Sequence, residues 1–242
     1  MDIDTLWSLF ENFAGVIVLA AICLTYYVRR WRRFRKSAYG KLTGNSFAKT
    51  ETDRGLYGEY LLCREVEACF DDPDMLMNVY VPRGDLATSE CDLVLVDRSG
   101  VWVFENKNYS GWIFGNGSRQ TWTKTLSRFT KYHFYNPVWQ DFGHVRALSA
   151  YLGLPEGSFV PVVVFSDRCK LKEISGCACP VIQTRDVRGT VARISAERGD
   201  VLTDEKMRDI MAKLEPLTHA SDQVKKRHTE QVRAAKSSGK RM

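Results

Sequence analysis

The chain has 242 residues, of which 44% are hydrophobic and 26% charged, and its formal net charge is +6. This length and apolar content leave room for one substantial folded domain with appendages, and for no more than one or two domains in all. The charge is spread unevenly: residues 1–28 carry −3, residues 29–36 carry +6, residues 221–242 carry +5 and residues 37–220 carry −2. The net charge of the central part therefore gives no argument for nucleic-acid binding, which must depend on a local groove and on the basic ends.

The N-terminal residues have the pattern of a membrane anchor. Residues 13–28 are apolar and free of charge, and a helix that begins at Leu6 would reach about 30 Å, long enough to span a bilayer. Basic residues follow this stretch and none precedes it, so a cleaved signal peptide is disfavoured. The positive-inside rule then predicts a single-pass membrane protein with its N-terminus outside and residues 37–242 in the cytoplasm. A buried core helix with a basic tail is the alternative.

The next segment, residues 29–54, is predicted to be a basic juxtamembrane region followed by a polar linker. Its cations at 29–36 suit anionic lipid head groups or nucleic acid. Because the folded core is expected to begin after Arg54, deletion of residues 1–36 is expected to release a soluble, folded domain.

Cysteine usage agrees with a reducing compartment. The seven cysteines are an odd number scattered through predicted core segments, which favours free thiols. Cys169, Cys177 and Cys179 raise the alternative of a zinc site, but their spacing is unusual and no fourth ligand is evident.

The main folded domain is predicted for residues 55–216, and its central feature is a hairpin. A helix is expected over 57–70 and a strand over 75–81, and two short apolar strands, 93–96 and 101–104, then flank the turn residues 97–100. Because side chains alternate along a strand, Glu105 and Lys107 share one face. Asp92 joins that face if Val96 opposes Val101, or if the turn is Ser99-Gly100, whereas a three-residue loop would turn it away.

These three charged residues allow two interpretations. Opposed residues of a hairpin have Cβ atoms about 4.5–5.5 Å apart, so Asp92 and Glu105 are close enough to share a divalent cation. The plain alternative is an ion pair between Glu105 and Lys107 at an exposed sheet edge, which would contribute little.

The remaining elements predict an α/β fold with a mixed central sheet flanked by helices. Strands are expected over 113–117, 120–126, 159–165 and 181–182, and helices over 137–152, 186–194 and 203–214. Between Arg119 and Tyr135 cations alternate with aromatic residues, as in a surface that binds a nucleic-acid strand or in a half-buried strand with a solvated cationic face. Residues 217–242 are polar and basic and are predicted to be disordered.

The landmarks of the chain resemble the nuclease-related domain, NERD, of the restriction-endonuclease-like superfamily whose metal site is written PD-(D/E)xK. They are Gly55-Leu56-Tyr57-Gly58-Glu59, Asp92, Glu105-x-Lys107, Asn108-Tyr109-x-Gly111, Trp122 and Asn136-Pro137-x-x-Gln140. The resemblance covers about residues 50–165. One position departs from the pattern, because the middle residue of E-x-K is usually apolar and here is Asn106.

Together with the predicted membrane anchor, the resemblance implies a membrane-anchored protein that hydrolyses nucleic acid with Mg²⁺ or Mn²⁺, with DNA favoured over RNA and a place in DNA processing. Asp92 and Glu105 would hold the metal with the Asn106 carbonyl, and Lys107 would act on the attacking water. Glu59 and Gln140 would assist, although a glutamate in a first helical turn needs no catalytic reason and a glutamine there can simply be exposed. The competing function is a non-catalytic adaptor that keeps the fold and binds nucleic acid or protein.

Overall fold

A computed structural model describes residues 2–84, 87–127, 129–218 and 220–238. The helices are α1 (Ile3–Lys36), α2 (Tyr39–Thr43), α3 (Phe47–Thr52), α4 (Arg54–Glu67), α5 (Pro137–Leu152), α6 (Val187–Arg198), α7 (Asp204–Leu214) and α8 (Asp222–Ser238). The strands are β1 (Asp74–Arg83), β2 (Ala87–Asp97), β3 (Gly100–Lys107), β4 (Gly111–Asn116), β5 (Thr121–Ser127), β6 (Thr130–Tyr135), β7 (Phe159–Phe165), β8 (Cys169–Ser175) and β9 (Val181–Gln183).

The central sheet is mixed and has the strand order β1-β2-β3-β7-β9. Strands β1 to β3 are antiparallel, whereas β3, β7 and β9 run parallel. The continuous apolar character of β7 fits its place in the interior of the sheet, where both faces are covered. In the β2–β3 hairpin Val96 pairs with Val101, which confirms one of the two predicted registers that bring Asp92 to the face of Glu105.

Helices cover both faces of this sheet, so the predicted mixed α/β fold is confirmed. One face packs against α1, α2, α3, α4 and α6 through a cluster that includes Phe34, Tyr39, Phe47, Leu62 and Val187. The other face packs against α5 and α7, which contribute Leu148 and Ile210. Helix α5 therefore lies directly on the strands that carry the predicted site residues.

A second sheet, with strand order β6-β5-β4-β8, was not foreseen as a separate layer. Buried Ile113 and Trp122 join it to Phe165 of β7 and Val138 of α5. Buried Asn136 holds the β4–β5 turn, because its Nδ2 donates to the carbonyls of Gly117, at 3.1 Å, and Arg119, at 2.8 Å. Its Oδ1 also caps α5 by accepting from the Val138 N–H. This family landmark is therefore architectural.

The predicted linker is wrong, because residues 37–54 form α2 and α3 and belong to the core. Tyr39 is fully buried and Phe47 is 8% exposed. Phe34, at the end of α1, packs against both rings and against Tyr60 of α4. Arg30 of α1 also forms a 2.7 Å salt bridge with Glu51. The polar composition of 37–54 concealed aromatic anchors that become buried only through contacts with α1 and α4.

The C-terminal residues also differ from prediction. Residues 222–238 form helix α8 instead of a disordered tail, while residues 239–242 lie outside the described residues. His228 attaches this helix to β2: its ring nitrogens lie 3.0 Å from the Thr88 hydroxyl and 3.4 Å from the Glu90 carboxylate. The polar, basic composition of this segment does not reveal a half-buried contact of this kind.

Helix α1 has the length and composition of a membrane-spanning helix. The stretch Phe13–Lys36 has a mean hydropathy of 1.5, and none of its most apolar window is buried in the described structure. Its large apolar side chains are exposed, as Phe13 (64%), Ile17 (65%) and Leu24 (63%) show.

The shared core of α1 and the domain predicts a specific loss of stability. Phe34→Ala removes a buried ring and should lower the free energy of unfolding by about 3–5 kcal/mol. Urea unfolding of the full-length protein in detergent, followed by circular dichroism, measures this change. The control is Trp31→Ala, because Trp31 is 38% exposed and should cost no more than about 1 kcal/mol. Equal losses of unfolding free energy for the two variants would contradict a core that begins in α1. In that case deletion of residues 1–36 should leave the domain folded.

Candidate active site

The predicted site residues lie where the central hairpin divides. The last pair of the β2–β3 ladder is Leu93 with Phe104. Beyond this pair β2 and β3 no longer pair with each other. The first half of β2 keeps its pairing with β1, and residues 105–107 of β3 keep their pairing with β7. Asp92 bridges the gap, because its Oδ2 accepts a 2.8 Å hydrogen bond from the Asn106 N–H. The parting of two strands therefore leaves a polar opening in an otherwise apolar sheet.

Glu105 is a buried carboxylate at this opening. Its side chain is 1% exposed, and Lys107 Nζ donates a hydrogen bond to its Oε1. Its Oε2 lies 3.0 Å from Nε2 of His144 on α5. Because an ionised carboxylate only accepts hydrogen bonds, Nε2 carries the proton, and Nδ1 accepts from the Ser89 hydroxyl at 2.7 Å. The Glu105–Lys107 pair is thus part of a buried network, which removes the alternative of an exposed ion pair at the sheet edge.

The network sets the charge state of each member. Burial alone would raise the pKa of Glu105, but the Lys107 ammonium and the His144 hydrogen bond lower it. Burial would lower the pKa of Lys107, but the Glu105 and Asp92 carboxylates hold it above its usual value. Asp92 differs, because burial and the negative charge of Glu105 hold its pKa well above the usual range. The opening therefore contains a charged pair and a second carboxyl group, Asp92, whose ionisation Glu105 opposes and Lys107 favours.

Helices α4 and α5 bring Glu59 and Gln140 to the same opening. Gln140 Oε1 accepts a 3.1 Å hydrogen bond from Lys107 Nζ, so this side chain faces the site. Glu59 Oε2 accepts a 3.2 Å hydrogen bond from the Tyr39 hydroxyl. Burial raises the pKa of Glu59, and its charge contributes to the raised pKa of Asp92. Lys107 thus joins Glu105 to Gln140 by direct hydrogen bonds, whereas Glu59 acts on the group only through its electrostatic effect on Asp92.

The sequence analysis did not single out three polar residues that border the site. Besides His144, Asp141 on α5 is fully buried, and among the described residues its carboxylate has only a weak backbone contact, with Val162 of β7. Burial and the charges of Glu105 and Asp92 hold its pKa well above the usual range. Asn78 of β1 lies opposite Asp92, between the Met77–Leu93 and Val79–Cys91 pairs of the β1–β2 ladder. Its φ is +53°, a conformation that non-glycine residues rarely adopt. His144 follows Gln140 by one helical turn, a spacing that could have revealed it.

Close packing of α4 on β3 explains the glycine before Glu59. A Cβ at Gly58 would lie 2.5 Å from the Asn108 Cβ and 2.8 Å from the Asn106 Nδ2. The side chain of Asn106, which replaces the usual apolar residue, therefore lies against the helix that carries Glu59. No larger residue fits at position 58 without moving α4 away from the site.

The donor set fits a hard cation with few protein ligands. Within the described residues no group of three or more His, Cys, Asp or Glu side chains is arranged to hold a metal ion, which includes the cysteines of the zinc alternative. Mg²⁺, however, commonly binds through one or two carboxylates and keeps several waters. Asp92 and Glu105 provide two carboxylates whose repulsion a cation would relieve, so the residues present fit such an ion.

The fold and the site together define the class of this domain. Residues 54–166 match the family model of the nuclease-related domain, NERD. This part of the chain is a nuclease-related domain, as the landmarks predicted. That membership suggests a nuclease-related function and an interaction with nucleic acid.

Among curated proteins, the chain is similar to an uncharacterized protein of Bacillus anthracis. The two are 32% identical over 99 residues, which are 41% of this chain and 45% of the relative. The chain therefore spans less than half of that relative's length. No solved structure matches the chain.

The close contact at Gly58 predicts that an added methyl group destabilises the domain at this glycine but not at Gly143. Gly58→Ala should lower the free energy of unfolding by about 1–3 kcal/mol, since overpacking displaces backbone and side chains, and it should move Glu59 with α4. Gly143→Ala on α5 is the matched control, because nothing lies within 4 Å of its added Cβ; it should be neutral or stabilise by up to about 1 kcal/mol. Chemical denaturation of both variants measures the difference. A neutral Gly58→Ala would show that α4 does not need this close approach.

Proposed function

We propose that this chain is a membrane-anchored, Mg²⁺-dependent nuclease that hydrolyses phosphodiester bonds of nucleic acid. The observation that supports it most is the convergence of Asp92, Glu105 and Lys107 at the opening between β2 and β3. Carboxylates are rarely buried without compensation, and Asp92, a second carboxylate beside a completed ion pair, adds a repulsion that a cation would relieve.

The proposal gives Asp92 and Glu105 the role of metal ligands, with the Asn106 carbonyl as a third oxygen donor. A bound Mg²⁺ would polarise the scissile phosphate and lower the pKa of a water molecule. His144 acts through Glu105, because its Nε2–H fixes one carboxylate oxygen and leaves the orientation of the group little freedom.

Lys107 and Gln140 act on the reacting groups. The ammonium of Lys107 remains charged because two carboxylates raise its pKa, so its role is electrostatic stabilisation of the phosphorane-like charge and orientation of the water. Gln140 holds the Lys107 ammonium at 3.1 Å and thereby fixes its direction. Glu59, half-buried beside Asp92, is available to orient a second water.

One observation favours a second candidate, a non-catalytic adaptor with the same fold. Both Glu105 oxygens already have partners in the protein, Lys107 and His144, so the buried carboxylate is stable without a metal. An adaptor would keep this network for stability and would bind nucleic acid without cleaving it.

Cleavage by the purified protein tests the proposal. The full-length protein in detergent should cut DNA, the first substrate to test, or RNA with Mg²⁺ or Mn²⁺ and should stop in EDTA. Asp92→Asn and Glu105→Gln should abolish cleavage and weaken metal binding. Lys107→Met should keep the metal and lose about 10²–10³ in rate, as expected for the loss of one electrostatic stabiliser.

The control for these variants is Asp209→Asn on α7, an exposed carboxylate outside the site, which should cleave as the unaltered protein does. Metal binding is measured by calorimetry and folding by circular dichroism. Folded protein that binds the metal yet cuts neither DNA nor RNA would favour the adaptor. Folded protein that binds no metal would refute the metal site itself.

The proposed location places α1 in the membrane with the nuclease-related domain in the cytoplasm. The exposed apolar surface of Phe13–Lys36 supports the span, and the six cations at 29–36 support the orientation.

Reporter fusions at the C-terminus test this orientation. A fluorescent protein that matures only in the cytoplasm should be active there, whereas alkaline phosphatase should not. Neutral replacement of the six cations at 29–36 is the matched control and should weaken the bias, since these charges set it. An active phosphatase fusion would overturn the assignment.

A further inference from the structure

The outer half of the β5–β6 hairpin extends beyond the core of the second sheet. One face of this hairpin begins with buried Trp122 and continues to Lys124, since side chains two apart share a face; Leu126 follows at the irregularity between Thr125 and Ser127. Leu126 is 47% exposed. On β6 Tyr132 pairs with Lys124 and is 51% exposed. The face therefore changes from core to open surface within two residues.

Lys124 lies between two aromatic rings on this face. Its Nζ is 4.7 Å from the ring centroid of Tyr109 and 5.1 Å from that of Tyr132. The Tyr109 ring is fixed in turn by an edge contact with Phe134, at 5.0 Å between centroids. We call Tyr109, Lys124 and Tyr132 the aromatic track.

The aromatic track begins at the candidate site. Tyr109 follows Lys107 by two residues, and its N–H donates a 2.8 Å hydrogen bond to the Lys107 carbonyl. The first ring of the track is therefore attached to the end of β3, and the exposed ring of Tyr132 lies farther out on the hairpin. A chain-like ligand that follows the track leads directly to Lys107.

The chemistry of the track is that of a surface for an unpaired strand. Proteins that bind single-stranded nucleic acid combine a cation for the backbone with aromatic faces for successive bases. In a duplex the bases are stacked on each other and do not reach such rings. A cation held by two rings, one of them half exposed, offers both interactions to a strand whose bases are free.

We propose that the aromatic track binds an unpaired nucleic-acid strand and guides it to the opening between β2 and β3. This inference rests on the proposed function for its partner, and it adds the strandedness of the substrate and the surface that selects it.

The opposite face of the same sheet provides a competing surface. Lys131, Thr125, Trp112 and Lys170 lie in one row across the four strands. Trp112 is 50% exposed and has Lys172 Nζ 5.1 Å from its ring. This row lacks a connection to Lys107, because the sheet itself separates the two faces. Lys131 therefore serves as a matched control for Lys124, with the same charge on the other face of the same hairpin.

Binding measured without cleavage tests the proposal. The full-length protein in detergent is titrated, in EDTA, into fluorescent DNA and RNA of about 20 nucleotides, longer than a typical site, as single strands and as duplexes. Tyr132→Leu should weaken single-strand binding about tenfold, as expected for the loss of one stacked base, and should change duplex binding little. Tyr132→Phe keeps the ring and should bind as the unaltered protein does.

Salt dependence separates the two faces. Lys124→Gln should reduce the slope of log K against log salt by about 0.7, the value for one phosphate contact of a single strand. Lys131→Gln should leave the slope unchanged. The proposal is overturned if Lys131→Gln has the larger effect, if Tyr132→Leu has none, or if the unaltered protein binds no single strand. A separate cleavage assay distinguishes this proposal from the nuclease proposal. If the unaltered protein cleaves nucleic acid and the track variants bind single strands normally, the aromatic track is refuted and the nuclease proposal is not.

Discussion

The burial of Glu105 is the constraint on which the rest of the site depends. A carboxylate that is 1% exposed must be compensated by hydrogen bonds and by opposite charge, and both come from outside its own strand. Lys107 supplies the charge from two residues further on, while α5 supplies His144, which Ser89 of β2 holds in one tautomer. Helix α5 is fixed against the sheet by the packing of Val145 and Leu148, and Asn136 caps its first turn. Loss of the helix position would leave a buried charge without a partner.

The second constraint is the opening between β2 and β3, and it depends on irregular backbone. The ladder ends at Leu93 and Phe104, next to the positive φ of Asn78. Strain of this kind persists where surrounding structure enforces it, and it concentrates at functional sites. Asp141 adds a fully buried carboxylate whose hydrogen bonding is incomplete among the described residues. The site thus accepts several locally unfavourable features that a sheet built only for stability would avoid.

Local sequence patterns predicted the hairpin and its register, because the alternation of buried and polar side chains allows few pairings when one face is covered. They also predicted β7 and the cap of α5. The short helices α2 and α3 escaped prediction, since Tyr39 and Phe47 are buried by contacts with α1 and α4, and the pattern within the segment itself does not reveal these contacts. The second sheet escaped because β8 joins β4 from more than fifty residues away, by a parallel pairing that leaves no local signal. Asp141 and His144 required knowledge of which face of α5 meets the sheet.

The continuity of α1 with the core limits the distance from the membrane at which the domain can act. Phe34 and Arg30 attach the end of this helix to α3 and α4, so no flexible tether lies between the helix and the domain. Under the proposed anchoring, the domain stands at a fixed height and tilt above the lipid surface. Its working volume is then a thin layer, in contrast to the wide sphere that a flexible linker would sweep. Such a protein meets only polymers that pass close to the membrane. The effective concentration of those polymers depends on how often they reach the membrane surface, because the domain itself does not search a larger volume.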